Sequence, residues 1–426
     1  MNRLSGYLAT IGGCAVMALA SQAHASAFAV RENSSEGIGT IFSGDASAAD
    51  DAATAYTNPA GMTELQGNQV EVGAVAVFPT INFHGSATTG GAPTPGNNGD
   101  NAGRMGLVPN FYGVYGLTND LKVGLSINTP FALSVKQNAG WFGRYLGVES
   151  AILSTNINPG IAYKVNDKIS IGAGVSAQWL QATVTQGLNQ SAVGGPDALV
   201  KLKGDDWGFG YNFGILYKPI VGTQLGLTYR SKISHQLSGD VSSLRTVPPF
   251  SGALGSGAMK IDANMPAAIT AGITQTITPR LKASLSVEWT QWSTFKTVTV
   301  QTNAAAIPPL QENFVDTWFT SIGAEYQLND AWTLRSGAGW DQSPVSNHNR
   351  EVGIPDQDRI MLGVGFGYKI NDALTLDGAY AHYFAPRASI NASVNNNDAN
   401  PAGATILQGT YQLSLDYVSL SLGYKF

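Results

Sequence analysis

The chain has 426 residues, a formal charge of −5 and only 12% charged residues, where an ordinary soluble domain carries about 25%. Mild acidity argues against a nucleic-acid partner. Beyond the first residues no stretch has the roughly 18 consecutive apolar residues of a membrane-crossing helix, so few charges and 50 glycines leave two classes, a secreted all-β protein or a membrane barrel with an apolar outer face.

Residues 1–25 read as a cleavable secretory signal. Arg3 supplies the positive start, Tyr7 to Ala20 the apolar stretch, and Ala23-His24-Ala25 the small residues for the peptidase. The expected cut follows Ala25, with Ala27 as second choice. Gly12-Gly13-Cys14 also permits a lipoprotein reading, although the apolar stretch runs past it. Cys14 is the single cysteine, so removal of the signal leaves no disulfide or thiol chemistry.

Residues 26–66 show no strand alternation. Gly37, Gly39, Gly44 and the Ala/Asp stretch from Ala46 to Ala53 suggest short helices joined by glycines. A segment of this size fits either as a plug inside a barrel or as a periplasmic tail.

From residue 67 to 426 the pattern changes to period two, the signature of strands. Ile169, Ile171, Ala173, Val175 and Trp179 alternate with small or polar residues. So do Leu281, Ala283, Leu285, Val287 and Trp289, and again Ile360, Leu362, Val364, Phe366 and Tyr368. The last run is Val418, Leu420, Leu422, Tyr424 and Phe426. Aromatic residues sit near the ends of these runs, where an interfacial girdle lies. An aromatic residue at the end of the last run is similar to the signal read by the bacterial barrel-assembly machinery, an expected partner during biogenesis.

Asn119-Asp120, Asn166-Asp167, Asn329-Asp330, Asn371-Asp372, Pro219 to Thr223 and Thr278-Pro279-Arg280 mark six short turns. Seven polar loops fall at about 84–105, 135–151, 187–204, 239–256, 299–311, 342–357 and 391–406. Six short and seven long connections predict fourteen strands, short turns on the periplasmic side and long loops outside.

Ser43-Gly44, Asp50-Asp51-Ala52 and Asn58-Pro59-Ala60-Gly61-Met62 stand near the start, then Trp207-Gly208-Phe209-Gly210 with Gly214-Ile215-Leu216-Tyr217. Further on come Leu227-Thr228-Tyr229-Arg230-Ser231, Trp289-Thr290-Gln291-Trp292-Ser293, Asp341-Gln342-Ser343-Pro344-Val345 and Ile354-Pro355-Asp356-Gln357-Asp358-Arg359. In this order the blocks resemble the FadL/TodX family of outer-membrane transporters of long-chain fatty acids and other hydrophobic compounds. The resemblance implies a fourteen-stranded barrel closed by an N-terminal hatch. It also implies passive uptake: capture in a greasy groove among the outer loops, movement of the hatch, and sideways release through the wall near the third strand. Such a route has physical sense, since each methylene that leaves an apolar site for water costs about 0.8 kcal/mol. The surroundings are outer-membrane lipid and lipopolysaccharide, and a monomer is expected.

Candidate site residues follow from these readings. Phe131, Leu133, Trp141, Phe142, Tyr145, Leu146 and Val148 form an apolar cluster expected in the loop after the third strand. They line the outer groove, or else pack that loop on the barrel mouth. Asn58, Pro59 and Ala60 set a turn that seats the hatch. Asp341, Arg350, Asp356, Asp358 and Arg359 suggest a salt-bridge network that stiffens the lumen and holds the hatch. Where the resemblance places cations for a fatty-acid carboxylate, this chain has Gln186 and the lysine-free stretch Pro309 to Glu312. Arg230 and Lys296 are the nearest substitutes, and neutral hydrophobic compounds are expected to be accepted at least as well as fatty acids. No cofactor, metal or catalytic residue is expected. His84, His235, His348 and His382 have neither nucleophile nor metal spacing. The rival reading is a general diffusion porin for small hydrophilic solutes.

Overall fold

The computed structural model describes residues 27–248, 257–302, 310–393 and 404–426. The expected signal segment lies outside them. Fourteen antiparallel strands close into one barrel. The first six are β1 (Gln69–Thr89), β2 (Gly106–Gly116), β3 (Leu121–Asn128 and Ala132–Lys136), β4 (Glu149–Lys164), β5 (Ile169–Leu188) and β6 (Ala198–Tyr217). Then come β7 (Thr223–Arg230 and Ile233–Leu244), β8 (Gly257–Met265 and Ala268–Thr278) and β9 (Leu281–Thr290 and Thr297–Thr302). The last five are β10 (Thr317–Gln327, preceded by Leu310–Gln311), β11 (Trp332–Asp341), β12 (Arg359–Lys369), β13 (Leu374–Phe384 and Ala388–Ser393) and β14 (Thr405–Lys425).

β1 and β14 make the closure, in one register from Gln69↔Lys425 to Thr89↔Thr405. Hydrocarbon offers no hydrogen bonds, so a spanning sheet must pair every backbone group internally, which only a closed ladder does. The greasy phase faces out: Leu420 and Leu422 are 57% and 45% exposed, whereas Ser419 and Ser421 are 2% and 4% exposed. A water-soluble sandwich has the opposite arrangement, its apolar phase buried.

The six short turns lie where the sequence predicts them. At three, one asparagine organises the bend. The side-chain oxygens of Asn166, Asn329 and Asn371 accept from the two backbone N–H groups that begin the next strand, at 2.8–3.0 Å. In the first turn Thr118 takes that role, not Asn119, and its hydroxyl accepts from Asp120 and Leu121. Most of the long loops are shorter than expected. β1 runs on to Thr89 and β5 to Leu188, because polar residues above the membrane keep pairing without needing the apolar alternation that marks the spanning part.

Residues 27–66 fill the lumen. They hold α1 (Ser35–Thr40), α2 (Thr54–Thr57) and a 3-10 turn (Pro59–Glu64). Ser34 caps α1 by accepting from Gly37 N. The wall receives this segment on glycines of its inward phase. The Ala46 carbonyl lies against Gly226, Thr40 against Gly337, Ile38 against Gly363 and Asn58 against Gly214. A Cβ at any of these four would overlap the hatch. Asn58 ties the segment together. Its amide donates to Ala46 O at 2.5 Å and to Ile215 O of β6 at 3.2 Å, while its oxygen caps Ala60 N at 3.1 Å. Pro59 starts the 3-10 turn, where a missing N–H costs nothing.

Gly226→Val and Gly337→Val are therefore expected to leave a barrel that still migrates as a folded, heat-modifiable band. Both should displace the hatch and raise single-channel conductance in planar bilayers. Conductance as low as that of the unaltered protein would show that the hatch does not depend on these contacts.

Candidate functional site

The wall is interrupted at β3. Its pairing with β4 runs from Leu121↔Tyr163 to Asn128↔Asn156 and resumes one residue out of step at Ala132↔Leu153. Between these lie Thr129, Pro130 and Phe131, and proline has no N–H to give a neighbour. On the other side β2 pairs with β3 only from Phe111↔Ile127 to Gly116↔Lys122. Residues 106–110 of β2 therefore face β3 without a ladder.

The first described residues of the hatch occupy this break like a short extra strand. Val30 N donates to Pro130 O at 2.8 Å, Ala132 N donates to Phe28 O at 3.0 Å, and Ala29 bridges Phe131. Phe28 is 1% exposed. Its ring lies edge-on to Phe131, Trp292 and Phe295 at centroid distances of 6.0, 4.8 and 5.4 Å. A cavity of about 400 Å³ adjoins the break, lined among others by Leu107, Leu133, Ile152, Leu153 and Leu415. Its lining is mostly apolar, with Glu32, Arg104 and Arg359 as its charged members, and its place against a gap in the wall suits a hydrophobic solute.

Ion pairs hold the hatch near the break and farther below. Arg31 bonds Glu288 at 2.8 Å and Asp341 at 3.0 Å, and Asp341 also bonds Arg359 at 3.0 Å. Asp356 accepts from Ala27 N at 2.7 Å and from the Ser343 hydroxyl at 2.5 Å. Asp358 accepts from Ser343 N at 3.0 Å. Four of the five predicted charges thus meet around the start of the hatch. Arg350 does something else: it is wholly buried and pins the 342–358 loop through Asn347, Gln357 and the Asp356 carbonyl. A second network went unpredicted. Lys282 bonds Asp50, and Arg335 bonds Glu36, Glu325 and Asp377. The signal was present as charges in the inward phase of β9, β10, β11 and β13. Glu36, Asp50 and Glu325 bring carboxylate oxygens within 4.8 Å of one another, and the two cations take up that charge.

The seven residues of the predicted groove do not lie together. Phe131 sits at the interruption and Leu133 in the upper part of β3, not in the following loop. Both pack with the cluster that holds Phe28 and Trp292. Trp141 belongs to another cluster, with Phe83 and Tyr411 at the top of β1 and β14, and Phe142 and Leu146 lean on it. Trp141 is wholly buried, and its indole N–H donates to Gly147 O at 2.9 Å. The Tyr145 hydroxyl donates to Asp197 at 2.6 Å. Val148 is buried, and its N–H donates to Thr185 O at 2.7 Å.

Of the two candidate cations, Lys296 is exposed. Arg230 lines an inner chamber of about 130 Å³ with Tyr56, Asp45 and Arg31. Its guanidinium stacks over the Tyr56 ring at 3.9 Å and donates to Tyr56 O at 2.7 Å. The buried Nη1 has no partner among the described residues. Burial, then the nearby Glu288, pushes the Asp45 carboxyl up to about 8, so it is a weak counter-charge at neutral pH. Gln186 donates to Tyr145 O at 2.5 Å. Glu312 is a buried acid, raised by burial and then by Glu351, in the stretch that lacks a lysine.

Residues 16–426 match the family described as Outer membrane protein transport protein (OMPP1/FadL/TodX). The chain belongs to this family. It is 30% identical to the 47 kDa outer membrane protein of Pasteurella multocida (strain Pm70), over 90% of this chain and 92% of the relative. It is 28% identical to the long-chain fatty acid transport protein of Escherichia coli (strain K12), over 88% and 92%. Among solved structures, a Pseudomonas aeruginosa FadL homologue superposes with a TM-score of 0.88 at 25% identity, over 94% of this chain and all of that one. The Pseudomonas putida toluene transporter TodX shares the fold, with a TM-score of 0.68 at 18% identity over 94% and 100%. Like its relatives, this FadL/TodX chain is an outer-membrane β-barrel.

Replacing Trp141 and Phe142 together by Ser is expected to loosen the loop over the barrel mouth, since losing a buried Trp or Phe side chain costs about 3–5 kcal/mol. Uptake of a labelled fatty acid and of a labelled aromatic hydrocarbon should both fall while heat-modifiable barrel persists. Unchanged uptake of both would remove this loop from the route.

Proposed function

We propose that the protein carries hydrophobic molecules passively across the outer membrane, by capture at the outer loops, displacement of the hatch and lateral release at the β3 break. The observation that carries this reading is the hatch strand in that break. Phe28 occupies a slot of aromatic rings beside an apolar cavity, and among the described residues two backbone hydrogen bonds, the pair that makes the Ala29–Phe131 bridge, hold the segment to β3. An apolar solute entering the cavity competes with Phe28 for the same kind of surface. Once residues 28–30 move, the unpaired edges of β2 and β3 face hydrocarbon across a gap, and the solute leaves without crossing water.

The relative from Escherichia coli is named a long-chain fatty acid transport protein, which supports a long-chain substrate. Local chemistry supports neutral compounds equally. Around the outer loops Glu312 and Glu351 are acids that burial raises toward the neutral form, so they supply no cation for a carboxylate. An unpaired carboxylate buried there would be costly. We therefore assign the β3 route to neutral hydrophobic compounds, taken up at least as well as fatty acids.

Deleting Pro130 alone tests the route, because it puts the two halves of β3 into one register against β4. The deletion should close the break and abolish uptake of a labelled alkylbenzene by cells that display normal amounts of folded barrel. Persisting uptake would overturn lateral release at β3. Liposomes carrying the unaltered protein should not swell in small sugars, whereas swelling would favour a diffusion porin.

A further inference from the structure

The wall has a second interruption, between β6 and β7. Their ladder runs from Tyr217↔Leu225 to Asn212↔Arg230, stops, and resumes one residue out of step at Asp205↔Ser238. Where it stops, Ser231 N donates to Tyr211 O and Tyr211 N donates to the Ser231 hydroxyl, both at 2.9 Å. Above this, Trp207 to Gly210 have no paired residue on β7, and the Asp206 side chain, not a backbone carbonyl, accepts from Gln236 N. β8 is interrupted at the same level by Pro266 and Ala267, and β9 by the stretch from Gln291 to Lys296.

Cavities lie on both faces of this interruption. Inside is the Arg230 chamber, which also touches Tyr229, Ser231 and Ile233. Outside is a cleft of about 470 Å³ lined by Tyr211, Tyr229, Ser231, Lys232, Gln291 and Ser293. Tyr229 and Ser231 border both. The shift at Ser231 turns Arg230 into the chamber and leaves Lys232 exposed on the outer face, two positions along the chain. Neither cation has an ion-pair partner among the described residues. Below the cleft the outer face is apolar, with Phe213, Ile215 and Leu227 exposed. Ile233 and His235 cover the interruption from within, against Gly208 and Gly210.

We propose that this interruption is a second lateral opening, used by amphiphiles with an anionic head. The free Nη1 of Arg230 takes the carboxylate in the chamber, and Ile233 swings aside. Lys232 with the hydroxyls and amide of the outer cleft receives the head, while the tail lies along Phe213 and Leu227. Unpaired backbone in a membrane wall is tolerated only beside a water-holding cavity or protein, and a polar cleft at this point meets that condition. The inference rests on the uptake reading above and adds a sorting by charge: neutral compounds leave at β3, carboxylates between β6 and β7.

A fatty acid bearing a photoactivatable diazirine near its carboxyl tests this in outer-membrane vesicles holding the full-length protein. Labelling is expected on peptides containing Tyr211 and Tyr229. Lys232→Glu should lower it about fivefold, the scale of one partly exposed ion pair, and Lys232→Arg should restore it. In cells, Lys232→Glu should slow fatty-acid uptake severalfold more than alkylbenzene uptake, and deletion of Pro130 should do the reverse. Labelling confined to the β3 break, or equal uptake of the acid by both Lys232 variants, would overturn the second opening and leave the β3 route standing. Failure of the unaltered protein to take up either compound would instead overturn the uptake reading.

Discussion

Backbone pairing inside hydrocarbon is the constraint on which the rest of this molecule depends. Each unpaired N–H or C=O in lipid costs several kcal/mol, so a fourteen-stranded sheet must close, as β1 and β14 do along 21 residues. The same constraint makes every lapse in the ladder conspicuous. At β3 the lapse is covered by the hatch's own backbone. Between β6 and β7 it is bridged by Ser231 and Asp206 side chains and opens on a polar cleft. Neither lapse is left bare against lipid.

The hatch is held by two kinds of contact with different reach. Carbonyls pressed on wall glycines fix its position to within a side-chain radius, because nothing larger than hydrogen fits between them. The ion pairs of Arg31, Arg335 and Lys282 act over longer distances, since attraction between charges falls off only as the inverse of their separation. The glycine contacts lie under α1, the 44–47 turn and Asn58, whereas the first residues are secured by Arg31, the Asp356 contact to Ala27 N, the two backbone hydrogen bonds to β3 and the packing of Phe28. The part of the hatch that fills the β3 break is thus the part with fewest glycine seats.

Much of this was legible in the sequence. Period-two runs ending on Trp or Tyr and asparagine-bearing turns lead to the strand number, because lipid outside and a small or polar lumen impose opposite demands on alternate residues. An asparagine before proline has few conformations to choose from, and Asn58 caps the 3-10 turn that follows it. The groove was not. Phe131 and Trp141 are ten positions apart and both aromatic, yet they serve different clusters, because β3 continues past its proline and carries Leu133 up the wall. Periodicity has no means of showing that a strand resumes one residue out of step. Arg230 illustrates the same limit. Its stack on Tyr56 joins residues 174 positions apart, and only closure of the barrel brings them together.

Closure also fixes an order of events. Residues 27–66 precede β1 in the chain, yet they end inside a ring whose seam is β1 against β14, with Asn68 and Phe426 exchanging hydrogen bonds at 3.0 Å just beyond it. Once that seam forms, the chain can no longer be wrapped around its own beginning. The segment must already be gathered within the curling sheet, or thread in afterwards from the periplasmic rim beside Asn68. By either path the segment comes to rest on glycines of the inner wall. The plug is therefore tethered cargo of the barrel's own assembly, seated on a wall that closes only when β14 meets β1.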